Sequence, residues 1–218
     1  MRSQFPNVEH VIVDEAQNFR KEDGDWLAKA RDLIKKSRGY LWVFLDKNQQ
    51  IHQFETGLPE LRYQQPSCKL KNVIRNSVKI VEYSKQYLTY EDDGELLEVI
   101  HDFEGEKVIP FPYSDSREAC VRETLQGLAE EGYGDRDIAV LLSTQNDVDS
   151  MKVDGMNFGT EENNEEQRIV LTSIRKYSGL ERPVIVLVDP RAGKYHSNKG
   201  LVYSGVTRAM VKLIILER

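Results

Sequence analysis

The chain has 218 residues, 39% hydrophobic and 30% charged, a globular composition that excludes a wholly disordered or collagen-like protein. The formal net charge is -6 and the pI about 5.4, which runs against a protein that grips nucleic acid mainly through a basic surface. Its apolar runs are far too short to cross a bilayer.

The first residues hold no apolar stretch of signal-peptide length, and Cys68 and Cys120 lie far apart outside any CxxC pattern. Both features predict an intracellular protein with reduced thiols and no membrane partner. In chain order, the apolar runs are short, rich in β-branched residues and continuous. This is the pattern of strands buried on both faces of a parallel sheet. The first is 10–13, followed by a helical pattern over 25–34 that sets Trp26, Ala30, Leu33 and Ile34 on one face. A second strand is predicted over 40–45. The segment 57–67, with Pro59 and Pro66, reads as a linker.

Beyond it come a helix over 76–88, a strand over 108–111, and a helix capped by Ser116 and closed near Gly132. Strands are then predicted over 138–142, 169–171, 184–188 and 213–216, interrupted by an acidic stretch, 159–166, that reads as a solvated loop. Strands alternating with helices predict a doubly wound α/β architecture. Asp14, Asp46, Ser143 and Asp189 close strands, and the carboxyl ends of strands are where open α/β sheets bind ligands. Two domains are expected, 1–66 and 67–218. The first carries equal numbers of basic and acidic residues, 10 of each, so the whole charge deficit falls on the second. Two strands and one helix are too few to cover both faces of a parallel sheet. The chain is therefore expected to begin part-way through its first domain.

Asp14 and Glu15 follow an apolar strand, and such a pair suits Mg²⁺ binding and water activation. With Ala16 and Gln17 they resemble motif II of superfamily 1 helicases. The run Leu45-Asp46-Lys47-Asn48-Gln49, with His52 and Phe54 beyond it, resembles motif III. An amide at Gln49 can bond both a terminal phosphate and a catalytic carboxylate, and aromatic side chains such as His52 and Phe54 can stack nucleobases. Arg75 lies in a segment resembling motif IV, and its always-charged guanidinium would reach the γ-phosphate. The segment from Thr172 to Glu181 resembles motif V: Thr172 and Ser173 would bond a nucleic-acid phosphate, Gly179 makes the turn, and Glu181 would accept from a ribose hydroxyl. The run Tyr203-Ser204-Gly205-Val206-Thr207-Arg208 resembles motif VI, with Arg208 a second arginine toward the nucleotide.

A narrower resemblance rests on Asp14-Glu15-Ala16-Gln17-Asn18-Phe19-Arg20, followed by Asp23-Gly24-Asp25-Trp26, and on Ser173-Ile174-Arg175-Lys176-Tyr177-Ser178-Gly179-Leu180-Glu181-Arg182. These strings are similar to the carboxyl-terminal helicase-like domain of the Schlafen family. Leu45 and Ser178, which depart from the general helicase pattern, fit this family. The resemblance implies RecA-like parallel sheets, with the first lobe truncated at 1–66 and the second complete over 67–218. It also implies ATP and Mg²⁺ as cofactors, RNA or single-stranded DNA as partner, and an amino-terminal part of the same protein beyond these residues. On it, Glu15, Gln49, Arg75 and Arg208 are catalytic, Asp14 and Glu15 hold the metal, and Gln17, Gly179 and Glu181 serve the nucleotide. The sequence contains no Gly-x-x-x-x-Gly-Lys-Ser/Thr, the loop whose N–H groups cradle phosphates. The alternative is therefore a non-catalytic module that binds RNA or protein. Four histidines and two cysteines show no metal-ligand spacing, and no Gly-x-Ser-x-Gly elbow is present.

Overall fold

The computed structural model describes residues 8–19, 26–34, 39–51, 68, 70–89, 97–114, 116–160, 168–190 and 198–218. The expected linker at 57–67, the glutamates at 161–166 and the aromatic pair His52 and Phe54 lie outside the described residues. The chain divides into two compact units, Met1–Lys69 and Leu70–Arg218.

In the first unit, β1 (Val11–Val13) pairs in parallel with β2 (Leu41–Val43), with Ile12 opposite Trp42. Each strand is followed by one 3-10 turn, Ala16–Asn18 and Lys47–Gln49. Helix α1 (Trp26–Ile34) joins the strands and buries Leu27 and Ala30. Its inward face is thus centred on Leu27, while Leu33, expected inside, is exposed. The strands also differ from expectation. Val11, Val13, Leu41 and Val43 are half-buried, whereas Ile12 is 70% and Trp42 56% exposed. Successive side chains of a strand point to opposite faces, and no described element covers the face of Ile12 and Trp42.

The second unit opens with two very short strands, β3 (Asn72–Val73) and β4 (Glu98–Val99), paired in parallel. Between them α2 (Val78–Ser84) tightens into a 3-10 turn at Lys85–Tyr87. The core is a five-stranded, all-parallel sheet of β5 (Pro110–Pro112), β6 (Ile138–Leu142), β7 (Val170–Ser173), β8 (Arg182–Val188) and β9 (Ala209–Glu217), in the order β5-β9-β8-β6-β7. Helices α3 (Arg117–Glu130), α4 (Gln145–Ser150) and α5 (Lys199–Val206) provide crossovers. All five residues of β6 and all of Val184–Val188 are buried, as continuous apolar strands require when both faces are covered.

On one face, Val121, Leu125 and Leu128 of α3 pack with Val140, Leu142, Val186 and Val188. Helix α3 begins where Ser116 accepts from the Ala119 N–H at 3.0 Å and ends in the left-handed Gly132 (φ 96). On α5, Gly205 lets the helix close on the sheet: a β-carbon there would stand 2.9 Å from Leu187 Cδ1. β5 carries Pro110 and Pro112 at the sheet's edge, the position where a missing N–H is tolerated. Among the described residues, no helix is long and apolar enough to cross a membrane.

Candidate functional site

The first unit brings the residues that resemble motifs II and III, Asp14 to Gln17 and Asp46 to Gln49, together at the carboxyl ends of β1 and β2. Ala16 N–H donates to Phe44 O at 3.0 Å, so the two strand ends stay paired beyond the strands themselves. Asp14 is exposed, and its Oδ1 accepts from the Glu15 N–H at 2.9 Å. Glu15 has φ 51 and ψ 38, in the left-handed region that a side chain bearing a β-carbon adopts at a cost. Gln17 is 2% exposed, and its amide is spent on protein groups. Its Nε2 donates to Glu15 Oε2 in a short hydrogen bond, and its Oε1 accepts from Asp46 N–H at 3.1 Å. Asp46 in turn accepts from Asn48 N–H and from Gln49 Nε2, both at 2.9 Å. Gln49, expected to reach a catalytic carboxylate, thus holds Asp46, and the amide on Glu15 belongs to Gln17.

The second unit gathers both arginines at the amino-terminal ends of β8 and β9, where Arg182 lies opposite Ala209. Arg75 forms a short ion pair with Glu181, and both side chains are partly exposed. Beside Arg75, Asn76 Nδ2 donates to the carbonyls of Thr207 (2.9 Å) and Ala209 (2.7 Å), tying that segment to the turn that carries Arg208. Arg208 is 6% exposed; its Nε donates to Ser204 O at 3.2 Å and its Nη1 to Leu180 O at 3.5 Å. Thr207 Oγ1 donates to Tyr203 O at 3.0 Å. Gly179 has φ +80, so the turn before Glu181 uses the one residue free of a β-carbon. Tyr177, buried beneath, has its phenol pushed up by burial, with Arg182 and Arg208 opposing the shift.

Thr172 and Ser173 lie elsewhere. Ser173 pairs with Leu142, which also pairs with Val188, so both close the carboxyl edge of the sheet, opposite to the arginines. They are 1% and 3% exposed. The same edge holds a contact network that motif reading missed. Asp189, at φ 45, accepts at Oδ2 from Tyr113 OH in a short bond and at Oδ1 from the Arg218 N–H at 3.1 Å. Its carbonyl accepts from Ser143 Oγ at 3.0 Å. Burial, and then the Asp189 carboxylate, push the Tyr113 phenol above its ordinary value. The signal available in the sequence was only that Ser143 and Asp189 terminate strands.

No family model matches the chain. Solved structures of similar shape include three described as helicases or a possible helicase. The carboxyl-terminal domain of a possible DNA helicase from Lactobacillus plantarum WCFS1 aligns at 14% identity and TM-score 0.51, over 66% of this chain and 86% of that one. The arterivirus nonstructural protein 10 helicase, solved with DNA, aligns at 19% and 0.54 over 97% of this chain. The PRRSV helicase aligns at 16% and 0.50, also over 97%. The chain spans 40% and 35% of the lengths of those viral proteins. These likenesses show the fold: a mixed α/β chain with the parallel sheet of helicase RecA-like domains.

Proposed function

We propose that the chain is the greater part of a superfamily 1 NTPase/helicase domain of the Schlafen kind, coupling ATP binding or hydrolysis to RNA or single-stranded DNA. The observation that carries this reading is the convergence of Arg75, Glu181 and Arg208 on one edge of the second unit's sheet. Two cations held there, Arg75 by Glu181 and Arg208 by the carbonyls of Ser204 and Leu180, suit the charge that develops on a transferred phosphoryl group. The first unit supplies the complementary chemistry. Asp14 and Glu15 are the carboxylates available for Mg²⁺. No described cluster of three or more His, Cys, Asp or Glu could hold a metal alone, and Mg²⁺ characteristically takes one or two carboxylates plus substrate phosphates. The ion would neutralise phosphate charge; Glu15 would orient and deprotonate the attacking water. Ion pairing with Glu181 keeps Arg75 beside the turn that carries Arg208 until a phosphate competes for it. The DNA in the arterivirus complex supports nucleic acid as partner.

These 218 residues contain no Gly-x-x-x-x-Gly-Lys-Ser/Thr run, so the reading requires a phosphate-cradling loop supplied by another segment. The test is phosphate release from ATP and Mg²⁺, with and without single-stranded RNA or DNA, by the chain joined to a segment carrying such a loop. Release that is lost on Glu15→Gln and on Arg75→Ala supports the reading; release indifferent to both refutes it. A second reading, a non-catalytic module binding RNA or protein, draws on the burial of Arg208, whose guanidinium is engaged by Ser204 and Leu180. Nucleic-acid binding without any turnover, even with the loop supplied, would favour it.

A further inference from the structure

We infer that Gln17 is the positioning residue of the acidic pair, fixing the Glu15 carboxylate and locking it to the end of β2. The inference rests on the proposed role of Glu15, which it deepens. A buried side-chain amide must be satisfied at both ends, and Gln17 meets that demand in a directional way. Its donor faces Glu15 Oε2 and its acceptor faces the backbone N–H of Asp46, across two strands. Glu15 itself sits in a left-handed backbone conformation, so its side chain leaves the chain at an angle that the flanking strand does not dictate. Strained conformations persist only where surrounding contacts over-determine them. Here those contacts are the Asp14 carboxylate on the Glu15 N–H, the Asn18 N–H on the Glu15 carbonyl, the Phe44 carbonyl on the Ala16 N–H, and the Gln17 amide on the Glu15 side chain. Of these, only the last acts on the carboxylate.

The consequence is a connected path from Glu15 through Gln17 and Asp46 to Gln49. A displacement of the β2 end, where the motif III residues lie, is transmitted to the carboxylate by Gln17. Gln49 completes the path by holding Asp46. The Gln17 donor on Oε2 restricts the Glu15 side chain, which should therefore hold one rotamer.

The test uses nuclear magnetic resonance on the 218-residue chain with two substitutions. Gln17→Met keeps the volume and removes both bonds. It should speed Asp46 amide exchange about tenfold and average the Glu15 Hα–Hβ couplings, which in the wild type should report one rotamer. Gln17→Glu keeps an acceptor for Asp46 but has no amide donor for Glu15. In that variant, at neutral pH, Asp46 should stay protected while the Glu15 couplings average. Glu15 couplings unchanged in either variant at neutral pH overturn the inference, and so does an Asp46 amide indifferent to Gln17→Met. Should Gln17→Met fail to fold, the Glu15 couplings and Asp46 amide exchange in Gln17→Glu at neutral pH decide. The kinetic link is read separately. In the loop-bearing protein, Gln17→Met should lower kcat about tenfold, leave KM for ATP within about twofold, and add nothing to Glu15→Gln. Additive losses overturn it. Phosphate release untouched by Glu15→Gln alone removes the role given to Glu15, and the couplings still decide what Gln17 does.

Discussion

Arg75 and Arg208 stand at the same sheet edge but are held in opposite ways, and this decides how each responds to substitution. The Arg75 side chain is 57% exposed and paired with Glu181. Exposed pairs contribute roughly 0–1 kcal/mol because water and salt screen them and ordering two long side chains costs entropy. Arg208 is 6% exposed and donates to the carbonyls of Ser204 and Leu180. Removing it deletes a buried side chain together with its two hydrogen bonds, at about 1–3 kcal/mol in all. Arg75→Ala should therefore leave the urea midpoint nearly unchanged, whereas Arg208→Ala should lower it clearly. Equal losses in the two variants would show that the Glu181 pair anchors the fold. A practical consequence follows for the proposed function. A loss of turnover in Arg75→Ala reports chemistry, while the same loss in Arg208→Ala is confounded with packing.

At the scale of elements, close approach decides the outcome for α5. Replacing a mid-helix Gly by Ala ordinarily gains about 1 kcal/mol of helix propensity. At Gly205, however, the new methyl would sit 2.9 Å from Leu187 Cδ1 and 3.2 Å from Ile174 Cδ1. Overpacking a filled core costs about 1–3 kcal/mol, so the steric term wins and Gly205→Ala should destabilise. Adding Ile174→Val, which deletes one of the two contacted methyls, should recover part of the loss. A Gly205→Ala variant more stable than wild type would mean that α5 can slide. At the opposite edge, Tyr113 gives a pH-dependent prediction. Its folded phenol is raised, by burial first and then by Asp189. Stability from a raised group is complete below its unfolded value and falls as pH climbs above it. Alkaline titration past pH about 10 should thus weaken the wild type more steeply than Tyr113→Phe. Parallel curves would place the alkaline loss on other groups.

These elements also show what the sequence could and could not disclose. Runs such as Ile138–Leu142 and Val184–Val188 are continuous because the sheet is covered on both faces, and that continuity was readable. The strands β3 and β4 are two residues each and contain Asn72 and Glu98; no period can be read from two residues. In the first unit the same continuity gave half-covered strands, because pattern records the demand for burial and not which described element meets it. The site divides similarly. The acidic pair and the two arginines were legible as residue types at strand ends. The Arg75–Glu181 pair, the burial of Arg208 and the two-sided use of the Gln17 amide depend on distant segments meeting, which spacing along the chain does not encode.

At the scale of the whole molecule, under the proposed function, the 218-residue chain alone should release no measurable phosphate from ATP. Hydrolysis requires the γ-phosphate to be placed against water and cations, and positioning supplies much of the rate. In the proposed function, the roles given to Asp14, Glu15 and Arg75 require a nucleotide already fixed by its β-phosphate. A row of backbone N–H groups and a Lys provide that fixation in a Gly-x-x-x-x-Gly-Lys-Ser/Thr loop, and no such run occurs in the sequence. Gly193-Lys194 is followed by Tyr195 and lacks the upstream Gly. An arginine contributes about 10³–10⁵ in rate only where the remaining site is assembled, so without the loop its effect collapses toward the uncatalysed rate. Phosphate release should be at background for the chain alone, with or without single-stranded nucleic acid. It should appear when a loop-bearing segment is joined to it, and disappear again on Glu15→Gln. Turnover by the 218 residues alone, abolished by Glu15→Gln, would mean that other backbone N–H groups in the chain hold the β-phosphate.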